Sequence, residues 1–398
     1  MRILHVVTAF PRTPEDVITP WLVELLRRLR AEGYAAEVFT SAYRGGGPDH
    51  FDGIPVHRFR YFFRRWENLT HDEAAPDRVR RSWLYRMMAV CYVAGGALAI
   101  WRLCRRHGYD VVHVHWALPH ALFGWIARSA CGARIVTTFY GVELRWTASS
   151  LRPLRWFLAR AARTSDRVVA ISRYTAEEVR RLGRADVEVI PYAVGLAGGA
   201  SVPDSGPRSG SFTALFVGRL VQRKGVAILL EALSRMPADV PARAVVVGEG
   251  PELGSLRAQA EELGVAARVT FTGRIPAATL AATYRGADAV VLPAVVDDHS
   301  DTEGLGVVLL EGMQFGVPAV GSNLGGIPDI VEHERSGLLV APGDADALAG
   351  ALTRLARDPA LARRLGEAGR QRAAEVFGWP AIVQRWQAIY DKLKRAAY

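Results

Sequence analysis

Two carboxylates eight positions apart, Glu303 and Glu311, flank a Gly304-Leu305-Gly306 turn that leads into the apolar stretch from Val307 to Met313. Glycines on either side of Leu305 let backbone approach a ligand closely and adopt angles closed to other residues. A helix opening at Val307 aims its unpaired N–H groups and positive dipole end back at that turn, which suits an anion. The flanking acids accept hydrogen bonds from hydroxyls. Together these groups could recognise a diphosphate held between two polyhydroxylated rings, with amides on the phosphates and carboxylates on the sugars. The plain alternative is two solvated helix carboxylates that happen to fall eight apart.

Apolar segments must deliver these residues. Ala289-Val290-Val291-Leu292-Pro293 reads as a strand feeding the turn through a polar loop that holds Asp297, Asp298, His299 and Asp301. Phe212–Val217 is another strand, ending in Gly218-Arg219-Leu220-Val221-Gln222-Arg223-Lys224-Gly225. Strand and helix patterns alternate throughout the chain, which argues for doubly wound α/β layers. In the first half the strands are Ile3–Thr8, Ala36–Thr40, Asp110–His115, Arg134–Phe139, Val168–Ile171 and Val187–Gly195. Thr19 and Pro20 open a helix over Trp21–Arg30. Ala197–Ser211, rich in Gly, Ser and Pro, reads as a linker.

The Glu-x7-Glu pattern resembles the signature of the family 4 retaining glycosyltransferases. The likeness continues through Phe315-Gly316-Val317-Pro318-Ala319-Val320 and Gly325-Gly326-Ile327-Pro328. It covers nearly the whole chain, strongest from 212 to 332 and loosest from 41 to 106. The resemblance implies an α/β GT-B fold of two facing Rossmann-like domains with parallel sheets and an interdomain cleft. Residues 1–196, completed by a helix over 380–398, would form the acceptor-binding domain. Residues 197–211 would be the linker and 212–379 the nucleotide-sugar-binding domain.

The same resemblance implies roles for individual residues. Glu303 would contact the transferred sugar and Glu311 the ribose, with Gly304, Leu305, Gly306 and Gly218 lining the site through backbone. Arg219 and Lys224 would clamp the diphosphate, since a departing nucleoside diphosphate gathers negative charge that must be neutralised. The chain has only three lysines, Lys224, Lys392 and Lys394, so a lysine here favours function over random surface charge. The turns at Glu249 and Ile275 would line the base pocket, Ile275 touching the base. Gly248-Glu249-Gly250 lacks the third glycine of a dinucleotide fingerprint. In the first half, His115 ends a strand as a cleft residue, or is structural. Tyr140 stands where related enzymes place a histidine against the donor sugar; it either donates a hydrogen bond there or packs. Arg12, on a loop without the family's paired glycines, could face an anionic group.

The expected reaction is sugar transfer with retention. The acceptor would attack the face from which the phosphate departs, and the phosphate would take the acceptor's proton. No metal and no cofactor are expected. The acidic group around Asp297 and Asp301 reads as a solvated loop or an acceptor contact. Two alternatives remain open: a GT-B nucleotide-sugar epimerase or hydrolase, and a non-catalytic nucleotide-sugar-binding protein.

Composition bounds the partners. The 398 residues carry a net charge of +10, and half are apolar, which is enough for two domains with their own cores. Residues 1–190 hold 29 of the 50 Lys+Arg but 18 of the 40 Asp+Glu, so the whole excess lies there. That half would meet an acidic acceptor or an anionic membrane surface, unless the charge only reflects an arginine-rich composition. Arginines interleaved with aromatics from Arg58 to Trp66 suit a membrane interface, and nucleic acid is not expected as a partner. The apolar run Met87–Trp101 reads as a core helix, too short and too Gly-interrupted to span. Cys91, Cys104 and Cys131 show no metal-ligand spacing and no disulfide framework. With a first strand in place of a leader at the N-terminus, the expected location is the cytoplasm, peripheral to the inner membrane face.

Overall fold

Short apolar strands alternating with helices assemble into two parallel sheets. The structure, a computed structural model, describes all residues except 14, 15, 17, 72–77, 80, 81, 149, 150, 196–209, 299, 300 and 396–398. Through residue 209 the expected linker therefore lies outside the described residues. The chain forms two units. One comprises Met1–Ile171, Thr175–Ile190 and Val383–Tyr398; the other comprises Ser172–Tyr174 and Pro191–Ile382.

The first unit contains strands β1 (Arg2–Val6), β2 (Ala35–Ser41), β3 (His50–Phe51), β4 (Ile54–Phe59), β5 (Val111–His115), β6 (Arg134–Phe139), β7 (Arg167–Ala170) and β8 (Glu188–Val189). Their order in the sheet is β3-β4-β2-β1-β5-β6-β7-β8, parallel except for the β3–β4 pair. β1 from Ile3 onward and all of β5 are buried, as parallel strands covered by helices must be, though His5, His113 and His115 stand among their apolar residues. Strand order reverses between them, where open α/β sheets bind ligands beyond the strands' carboxyl ends.

The second unit contains β9 (Phe212–Val217), β10 (Ala242–Val247), β11 (Val269–Gly273), β12 (Ala289–Leu292), β13 (Ala319–Ser322) and β14 (Gly337–Val340). They are ordered β11-β10-β9-β12-β13-β14, all parallel. Here the reversal falls between β9 and β12, so the turns leaving those two strands converge at one sheet end.

Three local expectations are corrected. Thr19 precedes the Pro20–Ala31 helix in a left-handed conformation (φ 46°) and makes no side-chain cap. The expected strand Val187–Gly195 shrinks to two residues, because Pro191 has no N–H to extend the ladder. The apolar run expected as a short core helix is a 25-residue helix, Trp83–His107. Ser82 caps it by accepting from the Leu84 amide at 3.2 Å, and Arg105, Arg106 and His107 complement its C-terminal dipole. Met88, Tyr92, Gly96, Ile100 and Cys104 face the core, while the opposite face is exposed. Gly95 and Gly96 do not break it; that packing holds it straight through them.

The helix Trp379–Arg395 returns the chain to the first unit from Val383 onward. Its Tyr390 hydroxyl lies 2.8 Å from His113 Nδ1, and His113 Nε2 lies 2.8 Å from Thr138 Oγ1. His5, His113, His115 and His120 are all buried. Burial lowers each pKa, to about 3 for His5 and about 4 for His120, and well below the ordinary value for His113 and His115. The folded protein therefore keeps them neutral, whereas the unfolded chain protonates them near pH 6.5. Stability falls as pH drops below that value, by up to about 1.4 kcal/mol per pH unit for each histidine. Urea midpoints measured at pH 7.5 and 5.5 should differ accordingly, and His5→Gln should flatten the slope.

Candidate functional site

The turn after β9 carries Arg219, Arg223 and Lys224, with Gln222–Lys224 in one turn of 3-10 helix. The segment after β12 carries Asp301 and Glu303 and ends at Gly306, which adopts φ 88° and opens the helix Val307–Gln314. These two chain segments meet. Lys224 Nζ lies 2.5 Å from Glu303 Oε2, and Arg223 Nη1 lies 3.7 Å from the same oxygen. The Gly306 amide donates to Glu303 Oε1 at 3.2 Å. Arg223 Nε also pairs with Asp301 Oδ2 at 3.4 Å.

Glu303 is only 9% exposed. Burial pushes its pKa up, but the charge and hydrogen bond of Lys224, the charge of Arg223 and the Leu305 amide outweigh burial and bring it below the ordinary carboxylate value. The segment is fixed from behind. Gly326 N–H donates to the Glu303 carbonyl at 3.1 Å, and a Cβ on Gly325 (φ 58°) would fall 2.0 Å from that carbonyl oxygen. Only glycine permits so close an approach at that angle.

Other expected residues fall as follows. Glu311 accepts from the Tyr284 hydroxyl at 2.7 Å through Oε2. Burial raises its pKa and that hydrogen bond opposes the rise. Arg219, just after Gly218, is exposed and makes no ion pair or side-chain hydrogen bond among the described residues. Glu249 pairs with Arg274 at 3.2 Å, joining the turn after β10 to the one that carries the half-buried Ile275. Gly304 and Leu305 lie between Glu303 and the helix start.

Several readings are corrected. The Gly306 amide, expected to face a phosphate, is held by the Glu303 carboxylate. The acidic loop is not simply solvated, since Asp301 pairs with Arg223 and exchanges hydrogen bonds with Asp297, Asp301 N to Asp297 Oδ1 at 2.8 Å and Asp297 N to Asp301 O at 2.9 Å. His299 lies outside the described residues. Arg12 already pairs with Asp16 at 3.0 Å and lies over the Tyr43 ring. His115 is fully buried, its Nδ1 2.6 Å from the Tyr140 hydroxyl and its Nε2 3.1 Å from His5 Nδ1. Tyr140 itself is 4% exposed, stacked on Trp116 at 4.3 Å, so its hydroxyl is committed to His115. His5, His113 and His115 bring one nitrogen each within 4.8 Å of the others, but Tyr390, Thr138 and Tyr140 occupy three of the six ring nitrogens.

Two residues were missed. Arg223 joins Lys224 at Glu303; its place beside Lys224 was the available signal. Glu143, three residues after Tyr140 and opening a helix, accepts from the Tyr140 amide at 3.0 Å through Oε1. An acid in the first turn of a helix was the available signal. Glu143 is fully buried, Oε2 has no partner among the described residues, and burial raises its pKa to about 7.

Residues 200–372 match the family described as Glycosyl transferases group 1, and residues 18–193 match the Glycosyl transferase 4-like domain. The chain is similar to the GDP-mannose-dependent alpha-(1-6)-phosphatidylinositol monomannoside mannosyltransferase of Mycolicibacterium smegmatis, 36% identical over 289 residues that span 70% of this chain and 75% of that one. Among solved structures it is similar to sucrose-phosphate synthase from Thermosynechococcus elongatus, with a TM-score of 0.76 and 25% identity over 99% of both chains. It also resembles Anabaena Alr3699/HepE in complex with UDP and glucose, with a TM-score of 0.71 and 20% identity over 98% of this chain and 100% of that one.

Two stability predictions follow from the buried carboxylates. Glu303→Ala strands Lys224 without its counter-charge and should cost about 3–5 kcal/mol in chemical denaturation, whereas Lys224→Met with Glu303→Gln together should cost far less. For Glu143 the folded pKa lies above the unfolded value near 4.3, so its contribution falls as pH rises from about 4.5 to 7. Glu143→Gln should therefore be neutral at pH 4.5 and stabilising at pH 8, by on the order of 1–3 kcal/mol.

Proposed function

The chain belongs to the group 1 glycosyl transferases of family 4, GT-B enzymes that take a sugar from a nucleotide-sugar donor, and from that premise we propose that its transfer retains the anomeric configuration, needs no metal and serves a lipid-linked acceptor. The observation that carries this reading is the cluster of Lys224, Arg223 and Glu303 at the start of the Val307–Gln314 helix, where the turns leaving the neighbouring strands β9 and β12 meet. Lys224 and Arg223 supply two cations beside the amide end of a helix, and exposed Arg219 adds a third on the same turn. Three cations and a helix start are what a diphosphate leaving group calls for without a metal. The bond from the anomeric carbon to the phosphate oxygen breaks, the acceptor oxygen bonds that carbon on the same face, and the departing phosphate oxygen takes the acceptor proton. Glu303, kept ionised beside Lys224, favours positive charge on the sugar ring as that bond breaks. Glu311 holds ribose hydroxyls, and the Glu249 and Ile275 turns take the base.

A lipid-linked acceptor is supported by the first unit's basic charge and by the phosphatidylinositol monomannoside in the name of the mycolicibacterial relative. GDP-mannose and UDP-glucose are the first donors to test. Lys224→Ala should lower kcat about 10²–10³-fold, and Glu303→Gln should abolish turnover at a temperature where circular dichroism shows the variant still folded. Transfer assays with a radiolabelled donor and a bacterial lipid extract, with the product anomer read by proton NMR, decide the reading. An inverted anomer, or activity lost to chelator and restored by manganese, would overturn the mechanism.

A further inference from the structure

The Trp83–His107 helix has two apolar faces. Met88, Tyr92, Gly96, Ile100 and Cys104 pack into the first unit's core. On the other side, Trp83, Met87, Val90, Ala94, Leu98 and Trp101 recur at spacings of three and four and form one exposed stripe. Trp83 is 72% and Val90 68% exposed. Monomeric soluble surfaces rarely leave so long an apolar stripe uncovered. By length and composition this helix could cross a membrane, but only 28% of its most apolar stretch is buried, and that part is one continuous face committed to the core. A helix tied down along one side can lie on a bilayer and cannot traverse it.

A second element adjoins it. Phe62, Phe63, Arg64, Arg65, Trp66 and Leu84 line one groove of about 580 Å³, with Phe63 74% exposed. Leu84 belongs to the helix's first turn, so the groove and the stripe form one surface. Arg64, Arg65, Arg86, Arg102, Arg105 and Arg106 are all exposed around it. Neither residues 54–66 nor 83–107 contain an Asp or Glu. The two tryptophans stand about 27 Å apart along the helix, each near arginines, with the aliphatic residues between them. Arg65 lies over the Trp66 ring and Arg105 over the Trp101 ring.

We propose that this surface seats the first unit on an anionic bilayer, with the helix in the membrane plane, its aliphatic stripe among acyl chains, its tryptophans at the interface and its arginines on lipid phosphates. Charge decides between occupants. A second copy of the same face would set arginine against arginine with no carboxylate between them. A nucleic acid would leave Val90 and Leu98 in water. The proposal stands whatever sugar and acceptor the enzyme uses.

The test is flotation of the full-length protein with phosphatidylcholine vesicles, alone or with about a third phosphatidylglycerol, at low and high salt. Wild type should float with the anionic vesicles at least tenfold more than with the neutral ones, with tryptophan emission shifting to the blue, and high salt should weaken binding. Val90→Glu with Leu98→Glu, both on exposed positions, should abolish flotation, and Arg105→Glu with Arg106→Glu should remove the anionic preference. A thermal shift by uridine or guanosine diphosphate should be unchanged in these variants, which separates loss of docking from misfolding and from failure of the donor reading. Flotation of the Val90→Glu/Leu98→Glu variant equal to wild type, no binding to anionic vesicles, or a soluble dimer that those substitutions dissociate would each overturn the proposal.

Discussion

An ionised carboxylate shielded from water has to be answered by charge, and Glu303 is answered by Lys224, Arg223 and a backbone amide. Much of the second unit is arranged to keep those four groups together. The sheet reverses order between β9 and β12, which aims the two turns at each other. Glycines at 325 and 326 let a third segment press against the Glu303 carbonyl. Gly306 turns the chain into a helix and points its own amide back at the carboxylate. On the reading proposed above, a phosphate entering this corner would compete with Glu303 for the same ammonium, so that cation strength there would be divided between a resident acid and a visiting one.

The first unit solves the opposite problem. At the corresponding reversal of its sheet it gathers neutral, hydrogen-bonded rings. His5 and His113 are paired across β1 and β5, and His115 follows on the same face. Tyr140 and Tyr390 each attach to one of them. Such a network fixes ring positions without net charge, provided its members stay unprotonated. Glu143 is the exception, a buried acid whose desolvation outweighs the opposing charge of Arg145 and draws it toward its neutral form.

Elements that rest on local pattern were legible in the sequence. The strands feeding both turns and the helix after Gly306 follow from apolar runs and glycines, and the placing of Lys224 and Glu303 at one site was implied by the family resemblance. The partners that arise only in three dimensions were not. Asp16 beside Arg12, Tyr284 on Glu311 and Tyr140 on His115 join residues whose types say nothing of each other. The helix at Trp83 was misjudged for a related reason. Hydropathy reports how apolar a segment is, not how much of it the rest of the chain covers, and here one face is covered and one is not.

The last sixteen residues, Val383–Tyr398, belong with a sheet whose first strand begins at Arg2. During synthesis the amino-terminal unit therefore waits for a segment made long after its own strands, with His113 missing Tyr390 and the ring of Trp386 absent from its side until then. The sheet between β9 and β14 has all its strands well before that. Vectorial production thus lets every strand of the second sheet emerge before the first unit can complete its packing, a departure from the usual order in which domains emerge and fold.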